Sequence, residues 1–320
     1  MPPALPARRR SRSAGSRPPR IVVLGDLMVD VVLTPARPLQ SGTDVPGRVV
    51  MRQGGSAANT ARWLARLGAR TTLVCAVGRD HEGRELVSAL EGDGVRVRAT
   101  RVAGERTGRI GVLVAPGGER SFVADRAAAD GLAPRDLSAA MFQVDLLHLP
   151  AYSLLGEPLG LTGRRAIELA RAGGALVSLD LSSVGPLLAD GRRAAFRLVR
   201  EAAPDVLFAT RVEAEAIVGG RDTTGLGEIA RIVVIKHGRS GASVLASATT
   251  GRLAFDVATT AIEATDTTGA GDAFDAGFLV AWLSAEAATR RRPAALRRAV
   301  LAAHRAAGRQ LSTAARELAL

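Results

Sequence analysis

The chain has 320 residues, 47% of them hydrophobic, and a formal net charge of +12. That size and composition suit one large α/β domain, alone or with a small appendage, and exclude global disorder. No apolar run is long enough for a membrane span, and the single cysteine, Cys75, excludes an internal disulfide framework and a cysteine-built zinc site. A reducing cytoplasm is the expected setting. Of 43 basic residues only Lys236 is lysine, and Asn59 is the only asparagine. Such a bias points to GC-rich codons, so the basicity reads as surface drift rather than as a nucleic-acid footprint.

Residues 1–20 mix arginine with Pro, Ser and Gly and lack an apolar segment. They read as a disordered tail, not as a secretory signal. Ordered structure is expected from Ile21, where Ile21–Leu24 forms a buried strand that breaks at Gly25-Asp26. Val45–Met51 and Arg109–Ala115 read as short extended pieces. Pro116–Glu119 is a turn, with Arg120–Ala124 returning as the partner strand, so a small sheet apart from the main core is expected. Ser56–Leu67 carries an apolar helical stripe ended by Gly68. Strands are then expected at Leu73–Val77, Asp145–Leu149, Ala175–Asp180, Asp205–Ala209 and Arg231–Lys236. Helices are expected at Gly83–Leu90, Leu161–Ala172, Arg192–Ala202, Glu213–Val218, Ala273–Ala287 and Pro293–Gln310. The alternation argues for a doubly wound, mostly parallel sheet with helices on both faces. Cys75 falls inside a buried strand and reads as inert core.

The most informative run is Asp266-Thr267-Thr268-Gly269-Ala270-Gly271-Asp272-Ala273-Phe274. Two carboxylates flank a small, glycine-bearing loop that opens a helix. Backbone N–H groups and the positive helix end make such a loop an anion site. A carboxylate at its lip could take a proton from a hydroxyl while a phosphoryl group is stabilised beside it. No P-loop pattern is present, and Phe274 stands where a dinucleotide fingerprint needs its third glycine. An ordinary capped helix start is the competing explanation for the loop physics alone.

The same run closely resembles the C-terminal signature of the ribokinase-like (PfkB) carbohydrate kinases, and the resemblance extends from Ile21 to about Gln310 in the right order. Gly25-Asp26-Leu27-Met28-Val29-Asp30 resembles the first-strand motif, and Gly54-Gly55-Ser56-Ala57-Ala58-Asn59-Thr60-Ala61 the N-terminal signature. Glu213, with Glu215 nearby, falls at the magnesium and phosphate motif, and Lys236-His237-Gly238-Arg239-Ser240-Gly241 at the nucleotide loop. The resemblance implies ATP and Mg2+ as cofactors and a sugar as acceptor. It makes Asp272 the base, with the N–H groups of Gly269, Ala270, Gly271 and Asp272 around the γ-phosphoryl. Asp30, Gly54, Gly55 and Asn59 would bind substrate hydroxyls; a carboxylate can accept two hydrogen bonds from a diol. Thr210, Glu213, Lys236, Gly238, Gly241, Gly271 and His304 would line the nucleotide site, with Glu213 reaching Mg2+ through water. An Asp272 of ordinary acidity would be ionised at pH 7.

Two departures stand out. Thr210 replaces the family's asparagine, which puts magnesium and phosphate handling in doubt. Asp266 and Thr268 match positions of the family's monovalent-cation loop, but Ser312-Thr313-Ala314-Ala315 lacks the glycine that completes it, which argues against K+ activation. The expected organisation is a kinase domain at 21–312 with a β lid from about 33–53 and 101–126, followed by a C-terminal end at 313–320. The lid's exposed sheet face is a candidate homodimer surface. A nucleoside kinase of the same fold is the alternative. It would need an aromatic wall, for which Phe122 and Tyr152 are the few candidates. A weakened or non-catalytic sugar-binding homologue is a further alternative. Membrane and nucleic-acid partners are disfavoured, the latter because no stacking aromatics accompany the arginines.

Overall fold

The structure is a computed structural model that describes residues 17–115, 119–248, 251–260, 266–313 and 318. The turn residues 116–118, tail residues 1–16 and Ala314-Ala315 lie outside the described residues. In chain order the elements are β1 (Arg20–Leu24), β2 (Met28–Pro35), β3 (Gly47–Gly54), α1 (Ser56–Arg66), β4 (Arg70–Gly78), α2 (His81–Gly92), β5 (Arg96–Val102), β6 (Arg109–Val114), β7 (Arg120–Asp125), β8 (Leu146–Pro150), α3 (Leu159–Ala172), β9 (Leu176–Asp180), α4 (Val184–Leu187), α5 (Arg192–Ala202), β10 (Val206–Thr210), α6 (Arg211–Val218), β11 (Ile232–Lys236), β12 (Ala242–Ala248), β13 (Gly251–Val257), α7 (Ala270–Leu283) and α8 (Pro293–Leu311).

The main sheet runs β13-β12-β11-β10-β9-β8-β1-β4-β5. All pairings from β11 to β5 are parallel, and β12 and β13 close one edge antiparallel. Period-two alternation explains why its strands are aliphatic runs. Ile21 and Val23 enter one core with α1, α2, α7 and α8, while Val22 and Leu24 enter the other with α3, α5 and α6. A sheet covered on both faces demands apolar residues at every position. Cys75 lies in this interior, and burial pushes its thiol up to about 12. The chain winds outward in opposite directions from β1, which opens a crevice beyond the carboxyl ends of the strands. α7 is apolar on nearly every face because it packs between α1 and α8. At Gly277 an added Cβ would sit 2.8 Å from Ala303 Cα, so glycine allows the close crossing with α8. Among the described residues no helix is long and apolar enough to cross a membrane.

The second sheet, β3-β2-β6-β7, stands apart. Its limits differ from the expected lid segments in two ways. Arg96–Val102 pairs with β4 as the edge of the main sheet, so residues 101–102 do not belong to the small sheet. The small sheet also begins at Met28 rather than near 33, so Asp30 lies on the small sheet and not at the end of a main-sheet strand. One of its faces carries Asp30, Val32, Arg52 and Val112 towards the main domain. The other exposes Leu33, Val49, Met51 and Val123.

Candidate active site

The 266–272 loop sits over the crevice. Gly269 caps α7 in the left-handed region, φ +73°, which glycine adopts without strain. The Ala270 N–H closes the turn onto Thr267 O at 3.2 Å. That bond engages it within the loop, and Ala270 also lines the cavity on the side of Lys236. Gly271 and Asp272 supply the next N–H groups of the helix start.

Asp272 is held from α1. Ser56 Oγ donates to its Oδ1 at 2.7 Å and Asn59 Nδ2 to its Oδ2 at 3.1 Å. Gln53 Nε2 donates to Asn59 Oδ1 at 3.1 Å, which fixes the amide's orientation. Burial pushes the Asp272 carboxyl up to about 7; the Ser56 bond opposes this, Asp180 reinforces it, and Asn59 and Lys236 oppose it. The expectation of an ordinary carboxylate acidity is thus corrected: a desolvated helix start is not a surface. Asp30 behaves alike. Burial, with Asp26 and Asp272 adding to it against Arg52, raises it to about 7. Gly54 makes room for it, since an added Cβ would lie 1.8 Å from Asp30 Oδ1. Gly55, φ +97°, caps α1.

Asp266 is committed elsewhere. Arg120 Nη2 approaches its Oδ1 at 2.7 Å and Arg52 Nη1 its Oδ2 at 2.9 Å, and the Thr268 N–H donates to Oδ1 at 2.9 Å. Partial burial works against ionisation, but these partners outweigh it and hold the carboxyl below its ordinary value. The carboxylate expected to border a monovalent-cation loop therefore ties the small sheet to the main domain.

Two cavities meet at this loop. One, of about 470 Å³, is bounded by Asp30, Asn59, Trp63, Thr268 and Gly269. The other, of about 540 Å³, brings together Thr210, Lys236, Gly238, Gly241, Gly271 and His304, with Thr259, Thr260 and Phe274 completing its wall. His304 tilts against Phe274 at 5.4 Å, and burial lowers its pKa. Glu213 is buried below this cavity rather than lying on a solvated helix face. It forms a capping box with Thr210: the Thr210 N–H donates to Glu213 Oε2 at 2.7 Å, and the Glu213 N–H donates to Thr210 Oγ1 at 3.3 Å. Burial and Asp180 raise the Glu213 carboxyl against Lys236.

Lys236 does not reach freely into solvent. Its Nζ lies 3.0 Å from Asp180 Oδ1 and 3.2 Å from Asp275 Oδ1, over the Phe208 ring. Burial disfavours the ammonium, but Asp180, Asp275 and Glu213 hold it protonated. Sequence reading missed Asp180, Asp275, Ser56, Arg52 and Arg120. A signal existed for Asp275: it is a carboxylate one turn beyond Asp272 on an otherwise apolar helix. Among the described residues no cluster of three or more His, Cys, Asp or Glu is placed to hold a metal ion unaided.

The model of the pfkB family of carbohydrate kinases matches residues 18–316. An ATP-dependent ribose-1-phosphate kinase of Halopiger xanaduensis is 33% identical over 240 residues, 72% of this chain and 73% of that one. A fructokinase of Klebsiella pneumoniae is 32% identical over 271 residues, 81% and 83%. In structure, the adenosine kinase of Sinorhizobium meliloti superposes with a TM-score of 0.79 over 92% of this chain and 94% of that one, at 23% identity. That last likeness speaks for the fold alone.

Proposed function

The chain belongs to the pfkB family of carbohydrate kinases, and from that premise we propose that it moves the γ-phosphoryl group of ATP to a sugar hydroxyl across the 266–272 loop. The observation that carries this reading is the pair of cavities that share the loop: Thr268 and Gly269 bound one, Thr267, Ala270 and Gly271 the other. The acceptor lies in the cavity with Asp30 and Asn59, and the nucleotide lies in the one with Gly238, Gly241 and His304. Asp272 takes the proton as the hydroxyl attacks, and the α7 N-terminus faces the charge that develops. A carboxyl near 7 suits a base at neutral pH better than a strongly acidic one.

The residues around Lys236 fit a metal-nucleotide. Asp180, Asp275 and Glu213 face one ammonium; burial raises Asp275 and Glu213, and a divalent ion held mainly by phosphates and waters would favour their ionised forms. Glu213 and Asp180 would hold those waters, and a bound Mg2+ would neutralise phosphate charge. The small sheet serves as the lid, tied down through Arg52 and Arg120, and it excludes water from the reacting groups. Its exposed apolar face at Leu33, Val49, Met51 and Val123 is the surface for a second copy of the chain. A monomeric mass by light scattering would sink that part. A nucleoside acceptor fits less well: neither Phe122 nor Tyr152 bounds the acceptor cavity, and Trp63 is the one aromatic among its described lining. Purified protein with ATP, Mg2+ and a panel of sugars and nucleosides tests the whole. Turnover on sugars is expected; no turnover on any alcohol acceptor would leave the non-catalytic binding protein.

A further inference from the structure

Gln310, near the end of α8, lines the acceptor cavity and reaches the glycine loop through its side chain. Its Nε2 donates to the Thr268 carbonyl at 2.9 Å, and its Oε1 accepts from the Trp63 indole N–H at 3.0 Å. The two bonds leave the amide a single orientation. An indole N–H can only donate and a carbonyl can only accept, so the amide oxygen faces Trp63 and its NH2 group faces the loop. Trp63 is itself buried on α1, so the amide is held from a rigid element. An added Cβ on Gly269 would lie 3.4 Å from Gln310 Nε2, which shows how closely the amide packs against the loop.

The Thr268 carbonyl belongs to the same planar unit as the Gly269 N–H. That peptide is trans, so the two groups point in opposite directions. Fixing the carbonyl towards Gln310 therefore fixes the Gly269 N–H away from it, across the loop. Among the described residues this N–H has no protein partner, whereas the Ala270 N–H is bonded to Thr267 O. Glycine is the residue least able to fix its own backbone. The direction of the Gly269 N–H is thus set from outside the loop, by Gln310.

Asp266 and Thr268 are also the residues matched to a monovalent-cation loop, and they do not fit such an ion. Asp266 accepts from Arg52, Arg120 and the Thr268 N–H, and the Thr268 carbonyl accepts from Gln310. A cation placed against these oxygens would face two guanidinium groups and the positive end of an amide, and like charges repel.

Resting on the kinase reading above, we propose that Gln310 is a positioning residue for phosphoryl transfer: its amide aims the Gly269 N–H at the γ-phosphoryl group and holds the loop without a monovalent cation. Trp63 holds the amide in turn.

Gln310→Met keeps the length of the side chain and removes the donor. With ATP, Mg2+ and the best acceptor of the panel, its kcat should fall about 30-fold, somewhat less than for an anion-site donor deleted outright. Acceptor KM should stay within about threefold. A residue that only lined the acceptor cavity would do the reverse, raising KM and leaving kcat alone. Gln310→Glu still accepts from Trp63 but turns an oxygen towards the Thr268 carbonyl, and its kcat should fall at least as far. Trp63→Phe frees the amide to turn, and its kcat should fall about fivefold, the loss expected for one neutral hydrogen bond. Calorimetry with ADP and with the imido analogue of ATP gives a readout that needs no turnover. In Gln310→Met the ratio of the two affinities should shift about tenfold against the analogue, the loss expected for one hydrogen bond to a charged group. In the parent, turnover and melting temperature should be the same in KCl as in tetramethylammonium chloride, because an ion bound only to the folded chain would raise the melting temperature.

A rise of both with K+ overturns the proposal. So does a parental kcat and affinity ratio in Gln310→Met. Circular dichroism checks that each variant folds; if Gln310→Met does not, a parental kcat in Trp63→Phe overturns the proposal instead. The two readings fail separately. A shifted affinity ratio in Gln310→Met, with no turnover of any acceptor by the parent, removes the kinase and leaves Gln310 setting the loop. Parental turnover in folded Gln310→Met keeps the kinase and removes Gln310.

Discussion

Asp266 faces two guanidinium groups and a backbone N–H, whereas Asp272, at the other end of the same loop, faces a hydroxyl and an amide from α1. The first has its pKa held below the ordinary value and the second has its pKa pushed up to about 7. The difference separates two jobs that the sequence places six residues apart. A carboxylate that must stay charged to anchor a sheet is given cations. The carboxylate proposed to exchange a proton is desolvated and given neutral donors. The largest expected effect follows directly. Asp272→Asn keeps the size and the hydrogen-bonding capacity but cannot take a proton. Its kcat should fall about 10³-fold or more with acceptor affinity changed little, as read from steady-state kinetics on a variant with unchanged circular dichroism. Near-normal turnover would remove Asp272 as base and erase the contrast.

Below the loop, Lys236 faces Asp180, Asp275 and Glu213. Lys236→Met leaves buried carboxylates without a counter-charge, and unfolding by urea should show a loss of about 3–5 kcal/mol. Adding Asp275→Leu should recover part of that loss, because it removes one of the orphaned charges. A stability unchanged in Lys236→Met would mean the cluster is wetter than its burial implies.

Much of this was legible in the sequence, for identifiable reasons. Strands such as Ile232–Lys236 are aliphatic at every position because both sheet faces are covered, and that pattern survives without tertiary information. The glycine loop announces its own backbone. β12 and β13 were not read from the sequence: β12 is Ala and Ser around Val244-Leu245, and the alternation of β13 rests on only Leu253, Phe255 and Val257. The two boundaries of the small sheet failed for a related reason. Met28–Pro35 and Arg96–Val102 are both strand-like, and only the pairing partner decides which sheet each joins. The site residues that escaped, Asp180, Asp275 and Ser56, are single side chains brought together by folds of the chain over 95 residues or more, as between Asp180 and Asp275. No local pattern encodes such a meeting. The acidity of Asp272 escaped for the same reason, because burial is a property of the whole fold.

The pH dependence sharpens the comparison further. Asp30 and Asp272 both lie near 7, and the Asp272 charge helps raise Asp30. The proposed mechanism needs both ionised, one to accept hydroxyl hydrogen bonds and one to take a proton. So kcat/KM should fall as pH drops through 7, more steeply than the tenfold per pH unit of a single group. Asp30→Asn should leave the shallower slope, and Ser56→Ala should move the limb to higher pH by removing a bond to the ionised Asp272. Stability runs the other way. Both folded values lie above the ordinary 3.8, so the folded state keeps protons that the unfolded chain has released. This pair's contribution is fully present below about 4 and is lost as pH rises through about 7. Melting temperatures measured from pH 5 to 8 should therefore decline less in Asp30→Asn than in the parent.

Asp266→Asn asks whether the anchoring end matters to chemistry at all. Its carboxylate is 44% exposed, and half-exposed ion pairs contribute about 1 kcal/mol or less. Acceptor KM should rise roughly fivefold, with kcat nearly unchanged, since the lid is loosened and the base is untouched. A fall in kcat as deep as that of Asp272→Asn would show that the two ends work as one unit.

The smallest effect belongs to Thr210→Asn, which restores the residue that the family resemblance leads one to expect. Thr210 already does what a helix N-cap requires: its hydroxyl accepts from the Glu213 N–H, and its own N–H donates to the Glu213 carboxylate. Asparagine caps helices as well as threonine does or slightly better, so stability should change by no more than about 0.5 kcal/mol. The Glu213 carboxylate is positioned by a main-chain donor that any residue at 210 would supply, apart from proline. Turnover should therefore stay within about threefold, by analogy with exposed cap substitutions that leave the site's charges alone. A rise of tenfold or more in kcat for Thr210→Asn would mean that the amide reaches the nucleotide cavity and makes a contact the hydroxyl cannot, and the donor side of the loop would then be the weaker half of this site.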